Sequence, residues 1–196
     1  MKSYTLKLSI FLLSLTVAIT GCIKEEFDTP PVKSLIFFES FSDTLGTFTQ
    51  YSVTGAEVWT PSVYSGTTYA NMSGYSGGSY NANEDWLISK AINFDSYNSE
   101  TLSFESAMKY GNATDSSLKV LYSTNYTGTG DPGLATWTIL NNIPKSTGNF
   151  TWVKTGDIDM SGITGSNVFL AFKYSCTTSN VPTWEITKVK LNGYSN

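Results

Sequence analysis

The chain has 196 residues, 14% of them aromatic, and carries 16 acidic residues against 12 basic ones, all lysine, with no histidine. A net charge of −4 without a single guanidinium gives nucleic acid neither a positive footprint nor a bidentate partner. The missing imidazole removes histidine triads, the usual zinc sites and the commonest general base, so that catalysis would have to rest on paired carboxylates.

The first element in chain order is a short apolar run, Leu8 to Ile19, behind Lys2 and Lys7. It is too short for a finished membrane span and has the charged start and apolar centre of an export signal. The run ends in Ile19-Thr20-Gly21-Cys22, which resembles a bacterial lipobox. Residues 1–21 then read as a lipoprotein signal peptide and Cys22 as the acylated N-terminus. Each buried CH₂ of an acyl chain contributes about 0.8 kcal/mol, so several chains hold a protein stably on a membrane. Lys24, Glu25 and Glu26 resemble the surface-export signal of Bacteroidota-type lipoproteins. Residues 22–34, with Pro30-Pro31, read as an extended lipidated tether. The expected address is the outer membrane, with the protein held there by its acyl chains and exposed on the cell surface. Without Lys2 and Lys7, ten lysines face 16 acids, a net charge near −6.

Residues 35–196 form the expected folded domain. Strand-like runs punctuated by turn residues fall at 35–41, 57–60, 69–72, 85–94, 100–110, 116–122, 136–140, 150–155, 167–174 and 183–191. Leu102, Phe104, Met108 and Tyr110 share one parity, and Val168, Leu170, Phe172 and Tyr174 share another apolar face. In the last run Trp184 and Ile186 are out of phase with Val189 and Leu191. One extra residue near Thr187-Lys188, a β-bulge, would keep Lys188 and Lys190 out of the core. The predicted fold is all-β: a jelly-roll β-sandwich of two antiparallel sheets.

Cys176, left without a partner by an acylated Cys22, reads either as a small buried hydrophobe or as a reactive thiol. The run Asn125 to Asp131 reads either as a glycine-rich hairpin loop or as a faint calcium loop lacking its closing glutamate. The carboxylate pairs Glu84-Asp85 and Asp157-x-Asp159 are neighbours in sequence, which favours turn and cap roles over two acids opposed across a cleft. The expectation is therefore a protein without enzymatic activity.

Phe38-Glu39-Ser40-Phe41, Asn83 to Ser89, Leu102 to Glu105, Lys109-Tyr110-Gly111, Leu121 to Tyr126, Phe150-Thr151-Trp152, Val168 to Tyr174 and Trp184-Glu185-Ile186 follow one another in a familiar order. They resemble the choice-of-anchor J, or cleaved-adhesin-like, domains of bacterial surface proteins, related in pattern to MAM domains. The resemblance spans residues 35–193 and implies a jelly roll used for extracellular binding or adhesion. It also implies one structural calcium between the first and last strands. Glu39 matches the first-strand acid, while Thr187, beside Lys188, stands where relatives carry an aspartate. Asp85 and Glu185 are the residues available to supply the missing charge.

Trp59, Tyr64, Tyr69, Tyr75 and Tyr80 lie in a stretch rich in glycine and serine, and from Trp59 to Tyr80 there is no charged residue. Flat rings with polar tips suit sugars and peptide surfaces. These five are the candidate ligand-binding residues, against the alternative that they pack within their own segment. The expected function is a lipid-anchored, non-catalytic surface module that recognises a glycan or an extracellular matrix component. The alternative partner is a surface protein: an accessory subunit of an outer-membrane nutrient-uptake complex would dock another protein.

Overall fold

A computed structural model describes residues 30–111 and 116–196. The expected signal peptide over residues 1–21, Cys22 and the Lys24-Glu25-Glu26 run lie outside the described residues. Pro31–Asn196 is one compact unit.

Fourteen strands occur among the described residues. In chain order they are β1 (Ser34–Glu39), β2 (Phe48–Thr54), β3 (Thr60–Tyr64), β4 (Thr67–Ser73), β5 (Tyr75–Ser76), β6 (Ser79–Tyr80) and β7 (Asn83–Ser89). They continue with β8 (Tyr97–Lys109), β9 (Leu118–Ser123), β10 (Thr138–Ile139), β11 (Val153–Lys154), β12 (Ile158–Asp159), β13 (Phe169–Cys176) and β14 (Thr183–Ser195). The first sheet has the order β11-β8-β14-β4-β3, with β1 also on β14 and β12 also on β8. The second has the order β10-β9-β13-β7-β2, and β5-β6 is a separate hairpin. The two large sheets pair antiparallel and enclose the main core, as the jelly-roll reading requires.

Alternation decides which side chains fill that core. Leu102, Phe104 and Met108 on β8 meet Leu170, Phe172 and Tyr174 on β13, and the Phe104 and Phe172 rings stand edge to face at 5.0 Å. The outer face of the second sheet is not bare. Trp86, Ile88, Leu121, Phe169 and Ala171 form a smaller apolar layer beneath Tyr126, which the β9–β10 connection folds back over the sheet. The run Asn125 to Asp131 is thus part of a hairpin connection. Ser123 Oγ accepts the backbone N–H groups of Asn125 and Tyr126 at its start.

The bulge in β14 is present. Its register on β8 shifts between Thr187 and Lys190, and Lys188 has φ +51°. Trp184, Ile186, Val189 and Leu191 are all buried, while Lys188 and Lys190 are exposed. Two features depart from the sequence expectation, a strand over Phe48–Thr54 that it did not include and the orientation of Tyr110. β2 is an edge strand with only its first residue, Phe48, buried, so it carries no apolar alternation. Tyr110 keeps the parity of the β8 core face, yet β8 ends at Lys109 and Tyr110 turns left-handed, φ +66°, which swings the ring outward.

The bulge makes a prediction. Deleting Lys188 puts Val189 and Leu191 on the solvent face and should cost more than about 4 kcal/mol, abolishing cooperative unfolding. Lys188→Gly keeps the extra residue and suits its left-handed backbone, so its melting curve should stay within about 1 kcal/mol of wild type.

Candidate functional site

The site at one end of the sandwich is built around the β5–β6 hairpin. Its sequence, Tyr75-Ser76-Gly77-Gly78-Ser79-Tyr80, turns through two left-handed glycines, φ +58° and +82°, as a two-residue hairpin demands. The turn sets Tyr75 opposite Tyr80, with ring centroids 5.2 Å apart and planes at 46°. A two-stranded ribbon is marginal alone, so its foot matters. Asn81 N–H donates to Gly74 O at 2.8 Å, and Gly74 N–H donates to the Tyr174 hydroxyl at 3.1 Å. The Asn81 side-chain amide reaches Glu57 at 2.9 Å. The hairpin is therefore pinned to β4, β13 and the segment before Trp59.

Beside it opens a cleft of ≈ 570 Å³ lined by Tyr75, Tyr80, Tyr110, Thr178, Ser179 and Val181. The three tyrosines are 52%, 61% and 68% exposed. None of the described residues that line the cleft is charged. Behind Tyr110, the Lys109 ammonium lies 5.3 Å from its ring centroid and 5.6 Å from that of Phe150, which stands edge-on to Tyr110 at 6.1 Å. Tyr110 and Phe150 are both left-handed, φ +66° and +53°. Ring contacts thus hold two residues in a backbone conformation that costs a non-glycine residue on the order of 1 kcal/mol or more.

Of the five aromatics expected to bind ligand, Tyr75 and Tyr80 enter the cleft. Tyr64 is exposed on the edge strand β3, outside it. The other two are corrections. Trp59 is buried in the main core, its indole N–H pointing to the Asp85 carbonyl at 3.4 Å. Tyr69 is buried against Trp152 on the outer face of the first sheet, ring centroids 5.9 Å apart. Burial pushes its hydroxyl pKa up. Neither ring has a face free for a ligand. Tyr110, read as core from its parity, is the cleft residue that the sequence concealed.

The expected calcium set is not brought together. Glu39 closes β1, Asp85 lies on β7 in the opposite sheet, and Glu185 lies on the outer face of β14. Among the described residues no three His, Cys, Asp or Glu side chains form a group that could hold a metal. The Glu39 carboxylate serves the backbone instead, accepting N–H from Ser40 at 3.1 Å, Phe41 at 2.9 Å and Thr47 at 3.0 Å. Thr187 donates its hydroxyl to Thr68 O at 2.6 Å, and Lys188 next to it pairs with Glu105 at 3.1 Å. A calcium between the first and last strands does not fit these residues. Burial also raises the pKa of Glu185, partly offset by the Tyr69 hydroxyl.

Asp85 is a different case. It is 1% exposed, and neither carboxylate oxygen has a hydrogen-bond partner among the described residues. Burial pushes its pKa up to about 6, the neighbouring Ser52 offsets this in part, and the charges of Glu57 and Glu84 raise it further. Glu84, next in sequence, faces the other way and pairs with Lys173 at 2.8 Å. Asp159 caps a turn through Ser161 N–H at 2.9 Å. The two sequence-adjacent acid pairs thus present no opposed carboxylates. Cys176 is half-buried and its thiol donates to Asn81 O at 3.2 Å.

A family model described as Domain of unknown function (DUF5017) matches residues 62–196. The chain belongs to that family. No protein with a curated description matches it. Among solved structures, the K3 cleaved adhesin domain of Lys-gingipain from Porphyromonas gingivalis W83 aligns over 82% of this chain and 100% of its own, at 14% identity and a TM-score of 0.58. The K1 cleaved adhesin domain of the same protein aligns over 84% and 99%, at 17% identity and a TM-score of 0.54. The CBM22-1 xylan-binding domain of Paenibacillus barcinonensis Xyn10C aligns over 86% and 99%, at 15% identity and a TM-score of 0.50. What these three share with the DUF5017 chain is the fold, a two-sheet β-sandwich.

The Glu39 arrangement can be checked directly. Glu39→Gln removes the charge from three hydrogen bonds and should cost about 1–3 kcal/mol in denaturant melts, by the same amount with or without chelator. Gly46→Ala should cost at least as much, because a Cβ there collides with the Glu39 carboxylate and φ is +61°.

Proposed function

We propose that this protein is a lipid-anchored module of the outer membrane that binds a glycan on the cell surface without catalysis, through the tyrosine cleft. The observation that carries the reading is the exposed trio Tyr75, Tyr80 and Tyr110 around one cleft beside the Thr178 and Ser179 hydroxyls. Rings of this kind stack on the apolar faces of sugars, and hydroxyls exchange hydrogen bonds with them. A large exposed aromatic surface that the fold does not need is a binding feature. The fold is also one that a xylan-binding domain and adhesin domains use, which supports the reading by analogy of architecture. The resemblance of the domain to choice-of-anchor J domains and of Ile19-Thr20-Gly21-Cys22 to a lipobox supports the surface address, on which Cys22 would be acylated and Lys24-Glu25-Glu26 would direct export.

The described lining of the cleft carries no charge, so recognition should be of a neutral or weakly charged glycan and should depend little on salt. On a glycan array the purified protein should give specific signals that Tyr75→Ala, Tyr80→Ala and Tyr110→Ala each weaken by roughly tenfold or more, about 1–3 kcal/mol per ring. Because the rings are exposed, the melting temperature of each variant should stay within about 3 °C of wild type. A blank array together with capture of one surface protein, sensitive to the same changes, would replace the glycan by a docking partner.

The anchor has its own test. Metabolic labelling with a fatty acid should tag the wild type and leave Cys22→Ser unlabelled. Alanine at Lys24, Glu25 and Glu26 should protect the protein from protease added to intact cells. Equal labelling of wild type and Cys22→Ser removes the lipid anchor from the account.

A further inference from the structure

Buried acceptors without donors are the feature of this molecule that its folding does not explain. Asn83 and Asp85 occupy alternate positions of β7 and face the main core side, 2% and 1% exposed. Asn83 Oδ1 and both Asp85 carboxylate oxygens have no hydrogen-bond partner among the described residues. Three acceptor oxygens from two residues thus have no partner in hydrogen-bond geometry; the one hydroxyl that acts on Asp85 is that of Ser52, opposite it across β2 and β7, and it offsets the cost of burial only in part. Desolvating an ionised carboxylate without a partner costs several kcal/mol, and proteins meet that cost with a cation, a donor or a proton.

Among the described residues the charged groups that act on Asp85 are all negative. The two charged groups that act on Asp85 are Glu57 and Glu84. Glu84 is satisfied on the far face by Lys173. Glu57 is tied into the same corner, where Asn83 Nδ2 donates to its Oε2 at 2.8 Å and Asn81 Nδ2 to its Oε1 at 2.9 Å. Those two amide donors fix the Glu57 carboxylate and turn the Asn83 amide so that its oxygen points away from Glu57. Gly55 completes the corner: a Cβ there would strike the Asn83 side chain, and its φ is +97°.

We propose that Asn83 and Asp85 hold a calcium ion, with Glu57 supplying the second negative charge. All of the donor atoms are oxygens, which suits calcium and not the softer metals. The chain has no histidine, and the thiol of Cys176 is engaged by Asn81 O. Asp85 can bind through both oxygens, Asn83 adds an amide carbonyl, and water and backbone carbonyls complete the six to eight ligands that calcium takes. The site is distinct from the first-strand position of Glu39, whose oxygens are filled by backbone N–H groups. It stands apart from the glycan reading, although it lies at the foot of the hairpin that carries Tyr75 and Tyr80, through Asn81 and Glu57.

The test uses the purified protein stripped with chelator, then titrated with calcium at neutral pH. The melting temperature should rise by about 5 °C or more once calcium is roughly a hundredfold above its dissociation constant. Terbium in place of calcium should luminesce on indole excitation, since the Trp59 indole nitrogen lies 3.4 Å from the Asp85 backbone carbonyl. Asp85→Asn should abolish both signals and, without metal, melt no lower than stripped wild type, because it removes a buried uncompensated charge. Glu57→Gln should weaken calcium binding by roughly tenfold, and covers the case in which Asp85→Asn does not fold. Glu39→Gln should keep both signals. No melting shift and no luminescence at about 10 mM metal overturns the site, as does a response that survives both Asp85→Asn and Glu57→Gln, or one lost in Glu39→Gln alone.

Discussion

The pairing of β8 with β14 is the constraint on which the rest of the structure depends. Both strands are 13 residues long, and β14 carries β8 along one edge while its other edge is shared by β4 and β1. A strand that long cannot hold one parity with this sequence, because Ile186 and Val189 must both face inward. The left-handed residue Lys188 absorbs the mismatch. It sits where β4 stops pairing at Ile186 and β1 starts at Val189, so one irregularity serves both the parity of β14 and the change of neighbour. Two threonines close the seam, Thr187 bonding to Thr68 O and Thr68 to Ser40 O. Glu39 then folds the chain away from β1 by collecting three backbone N–H groups. A carboxylate used in this way has no need of a metal.

The same economy appears at the other site. Tyrosines on a glycine turn would be mobile if the ribbon stood alone. Here Gly74, Asn81, Tyr174 and Glu57 tie both ends of it to the sandwich. Rings held in place before a ligand arrives would lose less entropy on binding, a gain that matters most where the described lining offers no charge. Tyr110 reaches the cleft by a different route. Its left-handed backbone is held by the Phe150 ring and the Lys109 ammonium, not by a hairpin.

The strands that were legible in the sequence are those whose two faces differ. Leu102, Phe104 and Met108 alternate against Glu105 and Lys109, and Val168 to Tyr174 reads as a strand because its partners on both sides are buried. The bulge was legible for the same reason, since two lysines would otherwise enter the core. β2 was not, because an edge strand with one buried residue has no contrast to show. β3 was placed too early: Trp59 precedes it, and it runs to Tyr64 with Pro61 inside, which an edge strand permits. β12 was missed and β10 and β11 proved shorter than read, since each is a two-residue contact set by tertiary packing. At the site, composition located Tyr75 and Tyr80 but could not separate them from Trp59 and Tyr69. A ring in a glycine-rich stretch carries no periodic sign of whether it packs or protrudes. Tyr110 was misread by a rule that holds for its neighbours, and one backbone angle reversed it.

The chemistry missing from the chain and the chemistry present in the cleft belong together. Without arginine or histidine, and with acids in excess, the surface has little means of fixing an anionic ligand by paired hydrogen bonds. What remains is stacking and hydroxyl exchange, which a neutral sugar can answer and which gives modest affinity at one site. On the function proposed above, a module anchored at a surface would not work as one site. Many copies facing a polymer of repeated units turn each later contact into an intramolecular one, and avidity then exceeds the single-site affinity by roughly 10²–10⁴. For such a module a weak, rigid cleft whose described lining carries no charge would be sufficient, and quick release would let contacts exchange along the polymer while the surface as a whole stayed attached.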